Sequence, residues 1–111
     1  MQSDLDTIRS LNDAFRSTFK GGQIMLTRSI AQMCPNKRRD LLNAIRKYND
    51  FARDDEGYEF NEHDLAILEF QNVRYMFKID YYDSTMKYGS ENPANTALTT
   101  RVMTIMQASE Y

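Results

Sequence analysis

The chain has 111 residues, with 14 Lys+Arg against 16 Asp+Glu and a formal net charge of −2. At 41% hydrophobic and 27% charged residues the composition is that of a folded globular domain, which excludes a disordered chain. The length predicts one domain over residues 1–111, and the single cysteine excludes an internal disulfide.

The small net charge conceals a split. Residues 1–53 carry ten basic and five acidic residues, net +5, and residues 54–111 carry four and eleven, net −7. No apolar run approaches the roughly 20 residues of a membrane span. The start of the chain is acidic and lacks the pattern of a secretory signal. A cytoplasmic protein without a membrane partner is expected.

Leu5, Ile8, Leu11, Phe15 and Phe19 recur at helical spacing and predict an amphipathic helix over 4–20. Ser3 with Asp6 starts it and Gly21-Gly22 stops it. Residues 23–30 alternate and predict a strand, with Ile24, Leu26 and Ile30 on one side. Pro35 then fits the first position of a second helix, to about Asn49, whose buried face is Leu41, Leu42, Ile45 and Tyr48. Cys34 at its start follows an apolar stretch and reads as a buried or half-buried thiol. Residues 50–62 read as an acidic loop with a short extended piece at 58–60.

Three strands are predicted next, over 63–70, 73–82 and 85–88. Gln71-Asn72 is a two-residue hairpin turn, so facing positions sum to 143 and pair Leu68 with Tyr75 and Ala66 with Phe77. A loop over 89–95 leads to a last helix from Asn95 to about Ala108, with Leu98, Val102, Ile105 and Met106 inward. The order α-β-α-β-β-β-α predicts an α+β fold, a small antiparallel sheet of three to four strands covered by three helices.

Three groups of residues carry candidate chemistry. Lys37, Arg38 and Arg39 occupy the first turn of the second helix, where cations oppose the helix dipole, and Arg46 and Lys47 extend the same basic pole. It could bind phosphate or a carboxylate-rich partner; the plainer reading is a solvated charged face. An acidic pole holds Asp54, Asp55, Glu56, Glu59 and Glu62. It suits docking on a basic protein surface or imitation of nucleic-acid phosphates, against the plainer reading of a hydrated loop. The inferred register aligns His63, Asp80 and Lys87 in a polar row, a general-base pair with an anion holder or a cross-strand charge ladder. No catalytic residue, metal site or cofactor is assigned. Calcium-loop spacing fails at Gly57, and Glu62, His63 and Asp64 alternate in direction on a strand.

Several stretches resemble one family. They are Leu11-Asn12-Asp13-Ala14-Phe15-Arg16, Glu62-His63-Asp64, Phe77-Lys78-Ile79-Asp80-Tyr81-Tyr82-Asp83, Tyr88-Gly89-Ser90-Glu91-Asn92-Pro93-Ala94 and Arg101-Val102-Met103-Thr104-Ile105-Met106 through Glu110-Tyr111. The chain resembles a family of small proteobacterial proteins classed as a domain of unknown function, often on plasmids or mobile elements. The resemblance covers nearly the whole chain and implies no established activity. It departs at Asn36-Lys37-Arg38, where relatives tend to be acidic, and at Gln71-Asn72, where they favour a glycine.

The leading expectation is a non-enzymatic protein-interaction module acting through a charged pole. The resemblance implies a mobile-element accessory factor, an inhibitor of a host nucleic-acid-handling defence complex of the anti-CRISPR or anti-restriction type. The alternatives are a small metal-assisted hydrolase or nuclease using His63 and Asp80, and direct nucleic-acid binding through Lys37, Arg38 and Arg39. A protein partner is expected, and either a helix or the second subunit of a homodimer would cover Leu65, Ile67 and Met76.

Overall fold

The structure is a computed structural model that describes residues 4–51 and 62–111. Helix α1 is Asp4–Thr18, strand β1 Gly22–Leu26, helix α2 Arg28–Ala31 and helix α3 Pro35–Lys47. Strands β2 Leu65–Phe70, β3 Val73–Tyr82 and β4 Thr100–Gln107 follow, and a 3₁₀ turn at Ala108–Glu110 closes the described chain. The strands form one sheet in the order β1-β4-β3-β2. The fold is therefore α+β.

The hairpin register predicted from Gln71-Asn72 is the one observed, pairing Leu65 with Lys78 through to Phe70 with Val73. Gln71 and Asn72 lie at φ 50° and 66°. Both values match the two-residue turn whose twist suits flanking strands.

Three elements differ from expectation. The predicted C-terminal helix is β4, between β1 and β3, with Val102, Met103, Ile105 and Met106 all buried. A central strand with buried residues on both faces reads as a continuous apolar run, which periodicity alone does not separate from a helix. Because β4 runs parallel to β1 and antiparallel to β3, the sheet is mixed rather than antiparallel. The predicted strand 23–30 stops at Leu26, and residues 28–31 form one helical turn that buries Ile30 completely. Residues 85–88 are a turn rather than a strand, and past it the chain meets β3 at an isolated bridge between Tyr82 and Gly89. Cys34 is exposed rather than buried, because it caps α3 ahead of Pro35.

Leu26, Ile105, Phe77 and Ala66 form one row across all four strands. They pack with Phe15 of α1, Ile30 of α2, Leu41 and Ile45 of α3, and Phe51. Gly22 is required where α1 meets the sheet: a Cβ there would lie 2.5 Å from the Arg101 carbonyl oxygen and 2.7 Å from the Phe15 ring.

Among the described residues no helix covers the other sheet face. There the rows are Met25-Thr104-Lys78-Leu65 and Met106-Met76-Ile67. Met25 is 53% exposed, Ile67 42% and Leu65 37%.

Candidate functional site

The buried face of α1 is not wholly apolar. Asn12 and Arg16 lie four and eight residues after Ile8, on the same side, and both are buried. Asn12 Nδ2 donates to the Glu62 carbonyl at 3.0 Å and to the Tyr81 hydroxyl at 2.7 Å. Tyr81 in turn donates to Glu62 Oε1 at 2.7 Å. Arg101 Nε donates to Asn12 Oδ1 at 2.8 Å, and its Nη2 to the Pro93 carbonyl at 2.7 Å. The guanidinium lies over the Tyr81 ring at 5.2 Å.

This network joins α1, the entry to β2, β3 and β4. Burial, then the bond to Glu62, raises the Tyr81 pKa far above its ordinary value, so the phenol is a neutral donor. Burial also raises the Asp64 carboxyl.

Beside it, Asp13 accepts from Arg16 Nη1 at 2.9 Å, and His63 Nδ1 lies 2.9 and 3.1 Å from the two Asp13 oxygens. The His63 ring stacks on Phe51 at 4.0 Å, with planes 9° apart. His63 sits at φ 57°, the left-handed region that few side chains adopt. That turn carries the ring to the helix side of the sheet. The Asp13 carboxylate holds the ring through Nδ1, an arrangement that can orient an imidazole for proton transfer.

The expected row of His63, Asp80 and Lys87 does not form. His63 takes Asp13 as its carboxylate, while Asp80 accepts from Lys78 Nζ at 2.9 Å on the open face. That bond raises the Lys78 pKa. Lys87 lies in the turn after β3 and is exposed. The row assumed regular pairing past both ends of the hairpin, and the backbone leaves the strand at His63 and again at Asp83.

The basic pole is divided by local structure. Arg38 reaches back to the end of α2, donating from Nη1 to the carbonyls of Ala31 at 2.6 Å and Met33 at 3.4 Å. Arg46 Nε donates to the Ser17 carbonyl at 3.1 Å, at the end of α1, and its guanidinium lies 5.4 Å from the Phe19 ring centre. Both cations thus meet carbonyls that helix ends leave unpaired. Arg39 and Lys47 are exposed and Lys37 is half-buried. Phe19, Pro35, Arg38, Arg39, Leu42, Asn43 and Arg46 line a groove of about 330 Å³.

In the acidic pole, Asp54, Asp55, Glu56 and Glu59 lie outside the described residues, as does the expected extended piece at 58–60. Glu62 is a half-buried member of the Asn12 network. Among the described residues no three His, Cys, Asp or Glu side chains gather to hold a metal ion, and no helix is long and apolar enough to cross a membrane.

The sequence reading missed Asn12, Asp13, Arg16, Tyr81 and Arg101 as a set. The available signal was two polar residues on the apolar stripe of α1.

The fold and site define a small α+β domain whose sheet bears helices on one face and whose interior holds a connected polar network. The chain belongs to the protein family of unknown function DUF3768, whose model matches residues 26–110. No curated protein and no solved structure matches it.

Proposed function

We propose that the protein is a non-enzymatic protein-interaction module. The observation that supports this is the open sheet face. Met25, Leu65 and Ile67 are exposed there, in rows with Met76 and Met106. Exposed large apolar side chains that share one sheet face, rather than scattered singly over the surface, are a mark of an interaction site. Among its charged members Lys78 pairs with Asp80, and Arg74 and Glu69 occupy facing positions across the hairpin. The exposed Met25 side chain is unbranched and can adapt to a partner's shape at low cost.

In its narrower form the partner is a host nucleic-acid-handling defence complex, and the protein is its inhibitor on a mobile element. That form rests on the resemblance. The acidic run Asp54, Asp55, Glu56 and Glu59 would be its phosphate-like surface.

The test is co-purification from a bacterial lysate with the wild type and with Ile67→Lys and Met25→Lys. The reading expects a specific partner that both variants release while keeping the wild-type melting temperature. A partner retained by both variants would overturn the open face as the docking surface.

The orientation of His63 by Asp13 supports a second reading, a small hydrolase using His63 with Asp13 in place of Asp80. It expects turnover of a phosphodiester in Mg²⁺ or Mn²⁺ buffer that His63→Ala abolishes. Equal background rates for both proteins would remove it.

A further inference from the structure

We propose that the groove between the end of α1 and the outer side of α3 receives an acidic segment of a protein partner, carboxylates flanking one apolar anchor residue. This goes beyond the reading above and uses a different surface.

Pro35, Arg38, Arg39, Leu42, Asn43 and Arg46 fall at successive steps of 3, 1, 3, 1 and 3, one stripe of α3. Leu41 and Ile45 turn into the core instead, so α3 carries a second organised face. Phe19 completes the groove from the end of α1. Among the described residues three guanidiniums line it and no carboxylate does.

All three cations of the lining are arginine, whose planar fork matches a carboxylate with two parallel hydrogen bonds. Two of them are ordered in advance. Arg38 is anchored on the Ala31 carbonyl, and Arg46 on the Ser17 carbonyl and the Phe19 ring. A guanidinium has five N–H donors, so each keeps several for a ligand. Anchoring lowers the ordering cost that binding would otherwise carry. Arg39 has a 65% exposed side chain, and its contact with the adjacent Asp40 is 3.4 Å long. It can turn toward an incoming carboxylate.

Phe19, Pro35 and Leu42 make the apolar part of the lining. At about 330 Å³ the space is at the lower end of ligand sites, suited to one or two side chains.

The same features disfavour nucleic acid. Arg46 stands over the Phe19 ring, so a base has no open aromatic face to stack on. Three arginines in one short groove do not form the longer track that a phosphate backbone needs.

The experiment is fluorescence anisotropy with labelled synthetic peptides, one alternating Glu and Leu and one with Gln for every Glu. Binding of the Glu peptide, weakening with salt, and at least about tenfold weaker binding of the Gln peptide are expected, a difference of about 1.4 kcal/mol. Arg39→Glu and Asn43→Glu should each give a similar loss with an unchanged melting temperature, since both residues are exposed. Equal binding of the two peptides, or no effect of Arg39→Glu, overturns the proposal. So does tighter binding of a single-stranded or duplex oligonucleotide at this groove. A salt-sensitive dimer that Arg39→Glu dissolves also overturns it, with a second copy as the occupant. Ile67→Lys should leave peptide binding intact, so loss of the open-face reading and loss of this one are read separately.

Discussion

Asn12 shows how one residue ties sequence positions far apart. Its amide oxygen accepts from Arg101 and its nitrogen donates to Glu62 and Tyr81, so both polar atoms of the buried side chain have partners. Asn12→Ala leaves the Arg101 Nε and the Glu62 carbonyl without those bonds. The expected cost is about 1–3 kcal/mol, and more where the guanidinium stays out of water. Urea denaturation should show a lower midpoint at unchanged slope.

The hairpin turn offers the opposite sign. Gln71 occupies φ 50°, a region that costs an ordinary side chain roughly 1–2 kcal/mol. Replacing Gln71-Asn72 by Asn-Gly should raise stability by about 1 kcal/mol, read as a higher melting temperature. An unchanged melting temperature would mean that the neighbouring strands, rather than the turn, set the local stability.

Element boundaries follow from which constraints are local. The extents of α1 and α3 were legible because each has an apolar stripe and a stop or start signal within its own window. The β2–β3 register was legible because a two-residue turn dictates it. By contrast, β4 was not legible: Met103 and Ile105 on one face and Val102 and Met106 on the other are buried by neighbours that lie far away in the sequence.

The contact of α1 with the sheet gives a test at this scale. Gly22→Ala places a methyl group against the Arg101 backbone and the Phe15 ring. Overpacking of this kind costs about 1–3 kcal/mol, measurable by denaturation.

The C-terminal turn gives another. Glu110 Oε1 accepts from the Ser29 hydroxyl at 2.7 Å, the Gln107 N–H at 2.7 Å and the Thr27 hydroxyl at 3.0 Å. The Ser29 bond, then that from Gln107, holds the carboxyl below its ordinary value. Its folded pKa lies below the unfolded one, so this tie is complete above the unfolded value. It is lost as pH falls through the folded value. The Gln107 amide shift should titrate with a midpoint below the ordinary glutamate range, and Glu110→Gln should remove that transition.

At the scale of the molecule the two sheet faces predict opposite mutational responses. Phe77, fully buried under the helices, should cost about 3–5 kcal/mol as alanine. Ile67→Lys on the open face should stay within about 0.5 kcal/mol of the wild type. A large loss at Ile67 would mean that this face is covered in the folded protein. The charge split has a structural counterpart on the basic side. Arg38 answers the carbonyl end of α2, which explains one cation near the start of α3 that the helix dipole alone would oppose, and Arg46, in the last turn of α3, answers the carbonyl end of α1.

By itself the sequence determined the two amphipathic helices, the hairpin and its register, and the presence of a basic pole. These depend on spacing and turn chemistry within a few residues. Only the tertiary structure decided that the last apolar run is a central strand parallel to β1. It also placed His63 against Asp13 rather than Asp80, and Asn12 with Tyr81 and Arg101 in one buried network. Those outcomes depend on burial from two sides and on partners dozens of residues apart, which no local pattern encodes.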